Sequence, residues 1–423
     1  MMFNLLTGLR YFLLTFIMLL YWSTMALGIN TWVEKASFTG IARTDAVSFV
    51  VLDKAYVGTG QDSTGILLND FWEYNPNTDS WTQLADFAGT ARTGSIGFAI
   101  DSAGYIGLGR DSSTYLKDLW KYDPFTNAWT PEQDLGLNRT NPSNGRRDAA
   151  VAVLDGAAFV VGGYDGTTAY VKQCWRFDPN ADTSWAIRRN FTNATDFGVI
   201  GRRWGVAFSA NSSIYFGTGY TYTHDFHKDL WKYNPFTDSW SQVADMPGET
   251  RSNAVGFTLL GRGYIACGGN IDEQYDMWSY NTLLNLWNQV ADYPGAAAGN
   301  NIAFVIQNHA YVGLGNDNQN NCYSDLWQYT PDSTTSIGEL NNQYVVSVYP
   351  NPGYSIFNVR LPMSILDGKL SLINSDGKTV LTNIIKANQE RVLELNLSGF
   401  QSGTYFLLFE NENTKTHRKL IKY

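Results

Sequence analysis

Tryptophan recurs on a fixed spacing through most of this chain. Five times an Arg is followed seventeen positions later by a Gly, ten to twelve positions further by a Trp, and nine or ten further by a second Trp. The copies read Arg43, Gly60, Trp72, Trp81; Arg92, Gly109, Trp120, Trp129; Arg146, Gly163, Trp175, Trp185; Arg202, Gly219, Trp231, Trp240; and Arg251, Gly268, Trp278, Trp287. A sixth copy keeps Gly315 and Trp327 but lacks the second Trp, whose counterpart is Trp32, ahead of the first copy. A period of roughly 50 residues holding four short strand patterns is what a β-propeller blade requires. Six blades are expected, and the displaced Trp32 predicts that the N-terminal strand completes the last one.

The first copy shows the blade. Ser48–Leu52 is almost wholly apolar, as an innermost strand covered on both faces must be. Lys54–Gly60 supplies the second strand, Asp70–Tyr74 alternates with period two as the third, and Ser80–Leu84 is the outer one. Between the last two, Asn75-Pro76-Asn77-Thr78 has turn chemistry, because Pro presets φ and Asn caps the turn. One such sheet leaves two apolar faces in water, so only stacking into a ring buries them.

These residues resemble the kelch-repeat propellers, the group that includes the galactose oxidase central domain. The likeness covers about residues 30–333 and rests on the strand-end glycines, the segments Asp118–Pro124 and Asp229–Pro235, and the closing Trp. The Gly-Gly doublet of that group survives only at Gly162-Gly163 and Gly268-Gly269. The fold implied is a six-bladed propeller, an architecture that hosts many functions.

Outside the repeats, Arg10 precedes the apolar run Tyr11–Trp22, with small residues at Ala26 and Gly28. The run is short for a membrane span and suits a secretory leader over residues 1–28, with the propeller then spanning 29–333. No other stretch is apolar enough to cross a bilayer, so no integral span is expected once the leader is removed. A formal net charge of −9 argues against nucleic acid as a partner. Cys174, Cys267 and Cys322 lie in different copies; Cys267 and Cys322 fall in neighbouring blades where a bridge is conceivable, but buried free thiols are the expectation.

Residues 334–343 read as a polar linker, and residues 344–423 as a separate module of about seven short strands, a small Ig-like β-sandwich. This module resembles the type A C-terminal sorting domain of type IX secretion in Bacteroidota. The matching residues are Tyr349-Pro350-Asn351-Pro352, Asp376-Gly377-Lys378, Gly403-Thr404-Tyr405 and Lys419–Lys422. The resemblance implies export through the outer membrane, the secretion machinery as a partner, and a secreted or surface-attached product.

Candidate chemistry gathers at one mouth of the ring. Arg43, Arg92, Arg146, Arg202 and Arg251 open their copies in one register, with Ala298 in the sixth place. Guanidiniums around an opening suit carboxylates or acidic sugars; the alternative is that each ties down its own loops through backbone carbonyls or a nearby Asp. Apart from Trp22 in the leader, Trp204 is the one tryptophan surplus to the repeat and follows Arg202-Arg203, where other copies have Asp45, Gly94, Asp148, Asn253 and Asn300. It reads either as a stacking platform for a sugar or as a wedge under the long connection Ala186–Gly201. The ligand-binding candidates are therefore Arg43, Arg92, Arg146, Arg202, Arg203, Trp204 and Arg251. No metal or cofactor is expected: the four histidines do not assemble the copper constellation of galactose oxidase, and His224 and His227 read as a solvated loop. The expected function is recognition of a glycan or cell-surface polymer. The rivals are protein–protein adhesion, and a sugar epimerase or mutarotase using Arg202 and Arg251 with Glu249 or Asp148.

Overall fold

Antiparallel sheets account for every element of the chain in a computed structural model, which describes residues 30–136, 145–166, 170–191, 201–332, 347–349, 354–360, 368–374, 378–386, 392–410 and 415–422. The leader expected over residues 1–28, the linker over 334–343, and the middles of two long connections, 137–144 and 192–200, lie outside them. Six sheets of four strands follow the repeat. The first comprises Val47–Val51, Lys54–Gly58, Phe71–Asn75 and Ser80–Gln83 in sequential order. The innermost strands touch their neighbours all the way round, blade six against blade one.

The seam is as expected. Thr31–Lys35 pairs antiparallel with Leu326–Thr330 and becomes the outer strand of blade six, with Trp32 opposite Tyr329. Its indole donates to the Ala291 carbonyl of blade five at 3.0 Å. The same bond recurs between other neighbours: Trp81 to Ala36, Trp185 to Gln133, Trp240 to Arg189 and Trp287 to Ala244. Trp32 therefore stands in the ring as an outer-strand tryptophan of the repeat, supplied from the other end of the chain.

Packing between blades explains the apolar runs. The second strand Ala157–Val161 is buried at every position, because sheets cover both its faces. Third-strand tryptophans bury against the preceding blade, as Trp231 does against Phe191 at 5.5 Å between ring centres. All three cysteines are free; Cys174 and Cys267 are buried and Cys322 is half-buried, so no Cys267–Cys322 bridge forms.

Among the described residues the C-terminal module shows seven strands in two sheets. One runs Ser347–Tyr349, Ile356–Arg360, Val392–Asn396; the other runs Thr379–Ile385, Gly368–Asn374, Gly403–Glu410, Lys415–Lys422. Period-two alternation turns Phe357, Val359, Leu370, Leu372, Leu395, Leu407 and Phe409 into one core.

Candidate functional site

The arginines that open the copies are consumed by the fold. Arg43 lies fully buried and donates from both terminal nitrogens to the Asp70 carboxylate at 2.6 Å. It also donates to the Thr59 and Ile41 carbonyls, at 3.1 and 2.9 Å. Arg92 repeats this with Asp118, Arg202 with Asp229 and Arg251 with Asp276, while Arg146 donates to Gln173. The same acceptor takes the indole N–H of the third-strand tryptophan, as Asp70 does from Trp72 at 2.7 Å. Phe38, Phe87 and Phe191 cover the guanidiniums of Arg43, Arg92 and Arg202. Arg43, Arg92, Arg146, Arg202 and Arg251 thus present no ligand-facing edge, which corrects five of the seven candidates. The expected structural alternative is the one found, with a different partner: the Asp lies two residues before the Trp, and Asp45 and Asp148 play no part.

Arg202 and Arg251 are locked to Asp229 and Asp276, and Glu249 is exposed and touches Arg251 only through its backbone carbonyl.

The surface of the mouth is built by the two residues that follow. Asp45, Gly94, Asp148, Trp204, Asn253 and Asn300 all adopt left-handed backbone, with φ between 53° and 65°. Their peptides chain round the axis: Asp148 N–H donates to Gly94, Trp204 to Asp148, Asn253 to Trp204 and Asn300 to Asn253, at 2.9–3.1 Å. Asp, Asn and Gly tolerate this conformation, whereas a bulky aromatic is disfavoured there by about 1–2 kcal/mol. Trp204 is the outlier of the six.

Four charged groups meet beside it. Arg147 donates to both oxygens of Asp148, at 3.0 and 2.9 Å, and Arg203 approaches the same carboxylate at 3.8 Å. Burial, opposed by Arg147 and reinforced by Asp45, pushes the Asp148 carboxyl up to about 6. Asp45 is raised as well, again chiefly by burial. The Arg203 guanidinium lies on the Trp204 indole, 3.5 Å from the ring centre, and also over Tyr170 at 4.9 Å.

Trp204 is half-buried and divides two hollows. A central well of about 130 Å³ is lined by Asp45, Asp148, Asn253 and Asn300. A cleft of about 320 Å³ opens over blades four to six, lined by the aromatics Trp204, Tyr220 and Phe226, the amides of Asn253, Asn270, Asn300, Asn316 and Asn318, and the charged groups Arg203, Glu273 and Asp317. Among the described residues, Trp204 Nε1 and Asn253 Oδ1 have no hydrogen-bond partner although both atoms are buried. Arg203 and Trp204 thus lie together at the cleft. Asn253 and Asn300 stood in the sequence only as register-mates of Trp204, and Tyr220 was not among the candidates, yet it had a signal: Arg110, Tyr164, Tyr220 and Asn316 each follow a strand-end glycine in one register. Among the described residues no group of three His, Cys, Asp or Glu suits a metal ion.

Comparison with known proteins agrees with the architecture. Residues 23–191 match the KLHDC2/KLHL20/DRC7 kelch-repeats domain, and residues 347–423 match the secretion system C-terminal sorting domain. No curated protein matches the chain. Among solved structures, that of YjhT is similar with a TM-score of 0.52 and 18% identity, over 63% of this chain and 89% of that one; at this identity the likeness shows the fold alone. The six sheets, the strap of Thr31–Lys35 and the matched tail together make this chain a kelch-type propeller carrying a type IX sorting domain, exported to the cell surface or the medium.

Proposed function

We propose that the chain is a recognition module, exported after removal of residues 1–28, that holds a glycan or surface polymer in the cleft beside Trp204. The observation that carries this reading is Trp204 itself. A large aromatic occupies a mouth position where the five other blades use Asp, Gly or Asn, and it does so half-exposed at the edge of the cleft. Trp204, Tyr220 and Phe226 offer flat apolar faces, and amides in the same lining, Asn253 among them, offer polar atoms to hydroxyl groups. Glu273 is occupied internally by the Asn318 N–H at 2.6 Å and the Tyr275 hydroxyl at 2.9 Å, Asp317 by Asn321 and Tyr323, and Asn316 by Thr44, Asn300 and the Asp317 carbonyl. Asn253 Oδ1, by contrast, has no partner among the described residues, and Arg203 stands beside it in the lining.

The test is a split between stability and binding. Trp204→Asn, the residue found at this position in blades five and six, relieves the strained backbone and is expected to stabilise the propeller by about 1 kcal/mol. Loss of the stacking face is expected to weaken retention on a glycan array by about tenfold, the equivalent of roughly 1.4 kcal/mol. Unchanged retention by Trp204→Asn and by Asn300→Ala would remove this cleft as the binding site.

A further inference from the structure

A second wall continues from the cleft across blades two to four. Tyr115, Tyr164 and Tyr170 meet edge to face, with ring centres 5.4 and 5.3 Å apart, and Tyr170 reaches Tyr220 in the cleft wall at 6.3 Å. All four side chains are partly exposed. A guanidinium stands at each end of the three tyrosines, Arg110 over Tyr115 at 5.6 Å and Arg203 over Tyr170 at 4.9 Å. The two are not equivalent. Each has a buried Nε without a hydrogen-bond partner among the described residues, but Arg203 shares the Asp148 carboxylate with Arg147, whereas Arg110 has no ion pair there.

We propose that this wall is a subsite for a carboxylated sugar unit, so that the ligand is an acidic polysaccharide spanning wall and cleft. This rests on the recognition role given above. A sugar ring lies against the tyrosines, and Arg110 takes the carboxylate. Its planar fork matches both oxygens of that group, and the Tyr115 ring beneath holds it in place before the ligand arrives. A neutral sugar leaves that guanidinium unanswered. The anionic selectivity expected of the five repeat arginines thus passes to a residue one loop further out.

The experiment measures retention of the whole mature protein on polygalacturonate, alginate and hyaluronan, each beside its methyl ester, and on neutral glucans and xylans. The wild type is expected to prefer at least one acidic polymer over its ester by about tenfold. Arg110→Gln abolishes that preference without lowering the melting temperature, and Arg110→Lys, which keeps charge but loses the fork, restores part of it. Trp204→Asn weakens acid and ester alike. Equal retention of acid and ester by the wild type, an undiminished preference in Arg110→Gln, or retention of neutral glycans alone overturns the subsite and leaves the cleft standing. Retention of nothing on the panel overturns the recognition reading itself.

Discussion

Arg251 shows what a single repeat arginine does. Its guanidinium is fully buried and answered by Asp276 and by the Cys267 carbonyl. Removing one member of such a pair strands a charge in a dry interior, so Arg251→Met is expected to destabilise the propeller by roughly 3–5 kcal/mol in denaturant titrations. The carboxylates respond to pH in two opposite ways. Burial would raise Asp70, Asp229 and Asp276, but the bonds from Arg43, Arg202 and Arg251 outweigh it and hold all three below 3.8. Their stabilisation is present above 3.8 and is lost as pH falls through the lowered folded values. Asp148 runs the other way: its contribution is complete below 3.8 and is lost as pH rises towards about 6. Asp148→Asn should therefore raise the melting temperature relative to wild type more at pH 7.5 than at pH 4.5; the reverse order would mean that the Arg147 pair, not burial, governs this group. The repeat register of the arginines was legible in the sequence. Their partner was harder to find, because the Asp lies about 26 positions away and only strand pairing brings it alongside. The left-handed hexad was half legible, since Asp, Gly and Asn fill five of its six places.

At the scale of the element, two kinds of inter-blade bond close the ring independently. Outside, the indoles of Trp32, Trp81, Trp185, Trp240 and Trp287 donate to a carbonyl at the end of the neighbouring outer strand, while Trp129 Nε1 has no partner among the described residues. Inside, Gly60, Gly109, Gly163, Gly219 and Gly268 donate to the carbonyls of Arg92, Arg146, Arg202, Arg251 and Ala298, and Gly315 closes the circle on Arg43 at 3.0 Å. Glycine is required there: at Gly315, φ is 89° and a Cβ would come within 2.5 Å of the Gly299 carbonyl. At Gly65 the φ is similar, 85°, but nothing lies within 4 Å. Gly65→Ala is expected to cost about 1 kcal/mol from backbone conformation alone, and Gly315→Ala distinctly more, as denaturant midpoints would show. Equal losses would mean that the close approach contributes nothing. The outer closure is tested by a chain that begins at residue 37. It leaves Leu326–Thr330 as an unpaired edge, and concentration-dependent aggregation is the expected outcome by light scattering. The displaced Trp32 made this seam readable in advance, because one tryptophan was missing at one end and surplus at the other. The blade-six departure at Ala298 was readable too, but its repair was not: Asn301 donates to the Ala297 and Leu314 carbonyls, the latter being the acceptor that the arginine serves elsewhere.

Across the whole molecule, folding and delivery reside in different stretches of chain. Every propeller core cluster draws its residues from Trp32 to Tyr329, and the tail core draws only on Val348 to Leu420. Among the described residues no buried side chain belongs to both cores, so each core is built from its own stretch of chain. Ring closure is likewise complete by residue 330, where the last blade pairs with Thr31. A chain ending at residue 333 is therefore expected to fold, to melt at the same temperature as the propeller transition of the longer protein, and to show the proposed glycan retention to the same extent as the longer protein. In the native cell the same truncation should leave the protein behind the outer membrane, because the matched sorting domain begins at residue 347. Calorimetry and fractionation read these two consequences separately. A shortened propeller that melts well below the longer protein would mean that the tail supports the ring, and stability and export would then have to be treated as one property of the chain.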